Sequence, residues 1–344
     1  AYQSEADLEK AFIQLLQSQA YEYLPVTTEA ELIANLRKQL ETLNNISFSD
    51  VEWERFFKEF IANPNHGIRE KTAVIQDDPI QNFTRTDGSI KNIHLLDKKD
   101  IHNNKLFFND TATTENGVRE NRYDVTILVN GFPLVHIELK RRGVDLREAF
   151  NQINRYARES FWAGSGLFEY VQIFVISNGT LTKYYSNTTR DNHVREGNSK
   201  TAHKGKRSGN SFEFTSWWAD ARNCPIFDLM DFGKTFFAKH SLLSILTKYC
   251  VFTSEKQLLV MRPYQIAATE RILERIRIAT NLRKYGTLKA GGYIWHTTGS
   301  GKTLTSFKTA QLASRLPFID KVLFVVDRKD LDYQTMKEYD RFEK

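Results

Sequence analysis

The sequence predicts an α/β protein of two consecutive domains, a mixed-sheet domain over residues 1–255 and the start of a parallel-sheet domain over 256–344. Three stretches carry that prediction. NRYDVTILVNGFPLVHIELK, residues 121–140, alternates with the period of two that marks paired strands. YVQIFVISN, 170–178, is a nearly unbroken β-branched and aromatic run, as expected of a strand buried on both faces. GGYIWHTTGSGKTLTSF, 291–307, reads as strand, glycine-rich loop and helix.

The remaining elements follow in order. SEADLEKAFIQLLQSQA, 4–20, opens with Ser4 as N-cap and acids in the first turn, and Leu8, Phe12, Leu15 and Leu16 form its apolar stripe. Residues 28–43 and 50–62 predict two more amphipathic helices, with Trp53, Phe56, Phe57 and Phe60 read as core on the second. Strand-like pieces stand at 92–96 and 105–108 among polar breaks, and His66, His94 and His102 show no ligand spacing. Asp145 caps a helix over 146–160. A strand at 181–185 is expected to pair with 170–178, and 187–210 reads as a solvated basic loop in preference to a DNA-facing arm. A helix over 232–249, a stretch 258–265 leading into a helix that runs to about 282, and a strand at 321–327 complete the pattern.

Composition bounds the classes. The 344 residues suffice for two domains, and a net charge of +6 with a pI of about 9.1 suits a polyanionic partner without requiring one. Two cysteines, Cys224 and Cys250, are too few for a disulfide framework or a zinc knuckle, which points to a reducing cytoplasm. No run approaches the roughly 18 apolar residues of a membrane span, no signal peptide is apparent, and a first residue Ala1 reads as a trimmed start.

The chemistry centres on the hairpin. In its second strand Val135, Ile137 and Leu139 face one way, and His136, Glu138 and Lys140 the other. A three-residue turn, Asn130-Gly131-Phe132, sets Val129 opposite Pro133 and Asp124 opposite Glu138; a two-residue turn sends Asp124 toward Ile137 on the wrong face. The longer turn is predicted. Two carboxylates and a lysine then converge, a set suited to Mg²⁺ held by Asp124, Glu138 and a backbone carbonyl. Such a metal polarises a phosphodiester, with Lys140 steadying the attacking water or the developing charge.

Asp124 with Glu138-x-Lys140 fourteen positions on resembles the PD-(D/E)xK nuclease core, with Tyr123 where proline is usual. Related nucleases often add a glutamate from the first helix, and Glu9 stands in such a helix, but it is read in preference as a solvated first-turn acid favourable to the helix dipole. Gln152 and Tyr156, four apart on the following helix, resemble the extra motif of the RecB-like branch, an amide and a phenol able to hold phosphate oxygens or a metal-bound water.

Thr297 to Thr303, TTGSGKT, has the physics of a phosphate-binding loop. Gly299 and Gly301 let backbone N–H groups at Thr298, Ser300 and their neighbours approach phosphates, Lys302 reaches the β- and γ-phosphates, and the Thr303 hydroxyl holds Mg²⁺. With His296 in place of the usual first glycine, the loop resembles that of superfamily 2 helicases and hence a RecA-like domain. By that resemblance Gln265 in RPYQ reads adenine, making ATP the nucleotide. RKDLDYQ from Arg328 resembles motif Ia, with Arg328 and Lys329 on a DNA backbone, though both also suit ordinary strand-end charges. An Asp-Glu box is missing before Lys344, so the chain is expected to be part of a motor, binding nucleotide weakly and not hydrolysing it.

SEADLE, RYDVTILVNG, LVHIELK, EAFNQINRY, MRPYQIAATERI, GYIWHTTGSGKTLTSF and FVVDRKDLDYQTMKEY together resemble the restriction (motor) subunit of type I restriction-modification enzymes. The resemblance implies ATP-driven translocation along double-stranded DNA, cleavage away from an unmethylated site, and docking onto methylation and specificity subunits. A repair nuclease–helicase, or a non-catalytic DNA-binding or assembly module with an inert acidic site, are the other readings open at this point.

Overall fold

The computed structural model describes residues 4–110, 124–159, 166–189, 214–326 and 329–343. The chain divides into two compact units, 1–218 with 226–250, and 219–225 with 251–344. The first has strands β1 (Glu22–Tyr23), β2 (Ile80–Thr84), β3 (Ile90–His94), β4 (Leu106–Asn109), β5 (Val125–Val129), β6 (Phe132–Leu139), β7 (Ile173–Ser177) and β8 (Thr182–Ser186). Six of them make one sheet in the order β1-β4-β5-β6-β7-β8, while β2 and β3 form a separate hairpin. β1 runs parallel to β4 and β6 to β7, the other neighbours being antiparallel, so the sheet is mixed as expected.

Its helices are α1 (Glu5–Ser18), α2 (Glu29–Asn44), α3 (Asp50–Phe56), α4 (Ile68–Gln76) and α5 (Leu146–Glu159), followed by Leu229–Phe236 and Lys239–Thr247. The capping box at Ser4 forms, and Leu8, Phe12 and Leu16 are buried while Leu15 is half-buried. Three expectations change here. The helix expected over 50–62 ends at Phe56 and continues as a π-helical turn, Phe57–Ile61. α4 and β2 arise where the sequence showed no clear period. The single helix expected at 232–249 is two, and the Tyr21 hydroxyl donates to the Phe237 carbonyl at the break.

The central hairpin reaches the expected register by an unexpected route. Val129 pairs with Phe132, so the turn is the two residues Asn130 and Gly131, both at positive φ (51° and 88°), the geometry that matches strand twist. The pairing then slips by one: Leu128 faces Pro133 and Ile127 faces Val135, leaving Leu134 as a bulge. Pro133 explains it, because a residue without an N–H cannot complete the ladder and sits within a sheet at bulges. From there Val125 pairs with Ile137, which carries Asp124 level with Glu138. The predicted three-residue turn is therefore wrong and its consequence for Asp124 right.

The turn is buried. Asn130 accepts from the Lys105 N–H and donates to Leu95 O and Asn104 Oδ1. At Gly131 a Cβ would lie 2.7 Å from Leu36 Cα. Gly131→Ala is expected to destabilise the chain by roughly 2–4 kcal/mol, combining the left-handed backbone penalty with overpacking. Urea unfolding followed by tryptophan fluorescence measures it, and a shift below about 0.5 kcal/mol would contradict the close approach.

In the second unit, Pro263–Asn281 and Lys302–Ala313 form as expected, with Lys329–Phe342 packing through Phe342 and Tyr339 on Phe307 and Leu304. The expected strands at 291–296 and 321–327 do not form among the described residues, and no parallel sheet is present there. Tyr293 and Val325 are each 88% exposed. An apolar run has strand propensity, but a parallel strand holds only between hydrogen-bonded neighbours, and these runs have none. Among the described residues no helix is long and apolar enough to cross a membrane.

Candidate functional site

β6 lies at the middle of the sheet, between β5 and β7, and all its residues are buried. Paired residues share a face, so Asp124 and Thr126 of the β5 side, His136 and Glu138 of β6, and Phe174 and Ile176 of β7 line one side. α5 covers that side, packing Leu146, Ala149, Phe150 and Ile153 on Phe174, Ile176 and Tyr185. Asp145 caps α5 by accepting from the Arg147 N–H, as the sequence predicts.

Asp124, Glu138 and Lys140 meet. Lys140 Nζ donates to Glu138 Oε1 at 3.1 Å, to Leu139 O at 2.8 Å and to Glu5 Oε1 at 3.2 Å. Asp124 Oδ2 accepts from the Leu139 N–H at 2.7 Å. Glu138 is fully buried and Lys140 only 8% exposed. A wholly buried carboxylate persists only with partners, and Lys140 is one.

Electrostatics follow from that burial. The Asp124 carboxyl is pushed up to about 7, first by desolvation and then by the neighbouring Glu138 charge, against the Leu139 hydrogen bond and Lys140. Burial pulls the Lys140 ammonium down, but Glu138, Asp124 and Glu5 together hold it above its usual value. His136, with no exposure, is pushed down to about 4 by burial, with Asp124 opposing.

The raised Asp124 carboxyl has a consequence for stability. Between the unfolded value near 3.9 and about 7 the folded chain binds more protons than the unfolded one, so stability falls as pH rises through that window. Asp124→Asn removes the loss. In metal-free buffer the variant is expected to exceed wild type by about 2–4 kcal/mol at pH 8 and to match it near pH 4. Denaturant unfolding at the two pH values checks this; no gap at pH 8 would remove the strain from the account.

Gln152 is half-buried on α5, the helix covering this face. Tyr156 belongs to the same helix, but its side chain lies outside the described residues, as do Tyr123 and the basic stretch 190–210. The first-helix acid brought onto Lys140 is Glu5, one turn before Glu9, which lines a groove with Lys10, Gln14 and Asp110. Glu5 and Glu9, four apart, lie on one face of α1.

In the second unit Gly299 and Gly301 adopt positive φ, 79° and 77°, and the helix starts at Lys302, as a phosphate loop requires. Lys302 Nζ folds over the loop onto the carbonyls of His296 and Thr297, at 3.3 and 3.2 Å. Thr303 is half-buried in the first turn, and Thr298 is exposed. Gln265 spends its amide inside the chain: Oε1 accepts from the Arg262 N–H at 2.8 Å, and Nε2 donates to Ser300 O at 3.0 Å. Beside the loop a cavity of about 610 Å³ is lined by Arg262, Tyr264, Arg271, Trp295 and Thr297–Ser300, among others. Arg328 and the Lys329 side chain lie outside the described residues.

Both halves of the chain have counterparts among known proteins. The family described as "Type I restriction enzyme R protein N terminus" matches residues 2–193, and "Type III restriction enzyme, res subunit" matches 258–344. The chain belongs to the family of type I restriction enzyme R, or endonuclease, subunits. It is 51% identical over 278 residues to the type I restriction enzyme EcoprrI endonuclease subunit of Escherichia coli, covering 80% of this chain and 83% of that one. To the SsaAORF53P endonuclease subunit of Staphylococcus saprophyticus it is 37% identical over 350 residues, 100% of this chain but 34% of the relative. The MjaVIIIP subunit of Methanocaldococcus jannaschii is 30% identical over 258 residues, 72% of this chain and 22% of its own length. This chain thus spans about a third or less of the latter two relatives.

Proposed function

We propose that the first unit is a metal-dependent DNA endonuclease of the PD-(D/E)xK type and the second an ATP-binding part of a DNA translocase, within a type I restriction assembly. One observation carries the nuclease reading: Asp124, Glu138 and Lys140 gather on a buried strand pair, with the Asp124 carboxyl pushed up by burial and by the Glu138 charge.

The donor set fits Mg²⁺. Among the described residues no three or more His, Cys, Asp or Glu side chains form a ready cage, whereas Mg²⁺ is typically held by one or two carboxylates, water and substrate phosphates. Asp124 and Glu138 would hold the ion. Lys140 already sits among three oxygens, a place of strongly negative potential. When bound, the metal supplies Lewis-acid polarisation of the phosphodiester and a more acidic water. Lys140 hydrogen-bonds the attacking water or the phosphoryl oxygen that gains charge, and Glu5 holds the ammonium at the mouth of the site. Gln152 and Tyr156 orient phosphate oxygens without adding charge.

In the second unit the backbone of Thr298, Gly299, Ser300 and Gly301 receives the ATP phosphates, Lys302 neutralises them, and Thr303 holds the accompanying Mg²⁺. Gln265 reads adenine in this proposal, for which its amide must leave Ser300. Arg328 and Lys329 grip the DNA backbone. Double-stranded DNA is the substrate, methylation and specificity subunits are the partners, and the cytoplasm is the site of action. Reconstitution of the whole subunit with those partners tests the assignment. Plasmid cleavage should require ATP and an unmethylated site; cutting of fully methylated plasmid at the same rate would favour a repair nuclease–helicase instead.

A further inference from the structure

His136 is a buried polar side chain that the chemistry above does not use. It points to the same face as Glu138 and is wholly enclosed, with the Phe174 ring in an edge contact at 6.3 Å between centroids. Its two nitrogens face different groups. Nδ1 lies 3.3 Å from Oγ1 of Thr126, its cross-strand partner, and Nε2 lies 3.5 Å from Glu138 Oε2. Glu138 Oε1 is turned the other way, onto Lys140.

A neutral imidazole has one N–H and one lone pair, and its surroundings select which nitrogen carries the proton. The Thr126 hydroxyl can donate to Nδ1, which leaves the hydrogen on Nε2, directed at Glu138. The opposite tautomer turns a lone pair toward an ionised carboxylate, a repulsion that low-dielectric surroundings magnify. At 3.5 Å the Nε2 contact is polar and longer than a formed hydrogen bond, and catalytic contacts of this kind tighten when the site is loaded.

We propose that His136 is a positioning residue: its Nε2–H, set by Thr126, anchors Glu138 Oε2 and leaves Oε1 for the divalent cation. This rests on the reading of Glu138 as a metal carboxylate. Outer partners of metal-binding groups orient them in this manner, and their loss typically costs about 10–100-fold in affinity.

The test uses Mn²⁺ alone as probe, with this chain free of nucleotide and carrying Thr303→Ala so that the phosphate loop contributes no ligand. Binding is read from the free-Mn²⁺ paramagnetic resonance signal. His136→Leu removes the donor, while His136→Gln keeps an N–H near the Nε2 position. His136→Leu is expected to weaken Mn²⁺ binding about 10-fold or more, with His136→Gln within about 3-fold of the parent. Equal binding by the two variants, whether both strong or both weak, overturns the proposal. Glu138→Gln separates the underlying reading: if it binds Mn²⁺ as the parent does, Glu138 is no ligand, whatever His136 does. Should His136→Leu not fold, Thr126→Val against Thr126→Ser makes the same comparison, with loss expected for Val, recovery for Ser, and equal binding by both contradicting the proposal.

Discussion

Asp124→Asn or Lys140→Ala in the assembled enzyme is expected to reduce DNA cutting by at least about 100-fold while ATP-driven movement along DNA continues. The two substitutions reach that result by different routes. Asp124→Asn keeps the shape and the Leu139 hydrogen bond but removes one of the two formal charges proposed for the cation. It also relieves the desolvation and Glu138 repulsion that lift this carboxyl to about 7, so the variant is expected to be inactive and more stable together. Lys140→Ala leaves Glu138, with no solvent exposure, lacking its ammonium partner, a change that costs about 3–5 kcal/mol when a buried pair is broken. Loss of activity there is interpretable only if translocation persists, whereas Asp124→Asn separates chemistry from folding directly. Cleavage within about threefold of wild type in Asp124→Asn would rule out the nuclease assignment, since loss of a carboxylate that holds the catalytic cation cannot come at so small a cost.

Lys302→Ala is expected to abolish translocation and cutting together, with ATP hydrolysis by the assembled enzyme down at least about 100-fold. The Lys302 side chain is exposed and its contacts in the chain are two loop carbonyls, so its removal should leave the unfolding midpoint within about 1 °C of wild type. Function lost without stability lost is the mark of a side chain kept for a ligand. Retained cutting with hydrolysis gone would uncouple the units and contradict a motor-triggered nuclease. A filter-binding assay with ATP and the same variant distinguishes failed binding from failed turnover.

Much of the candidate site could be read from residue order. Alternation alone put His136, Glu138 and Lys140 on one face, and Asn130-Gly131 marked the turn. Alternation predicts a turn one residue too long, because it takes no account of Pro133. Its missing N–H creates the bulge at Leu134, and the bulge restores the register that a two-residue turn would have lost. The first-helix acid on Lys140 is Glu5, and the capping box at Ser4 marks only where that helix begins. Residue order gives His136 no role, since a histidine in an apolar strand is distinguishable from core only once Thr126 and Glu138 are seen on its two nitrogens.

What the sequence determined by itself was local: which residues alternate, where helices cap, where glycines take positive φ before a helix, and the family that these patterns define. Tertiary structure decided whatever depends on a neighbour far along the chain. It set the burial of Asp124 beside Glu138 and hence the lifted Asp124 carboxyl, the Glu5–Lys140 contact, and the engagement of Gln265 with Ser300. It also decided that 291–296 and 321–326 stand unpaired, because strand propensity is a property of residues whereas a strand is a property of hydrogen-bonded pairs.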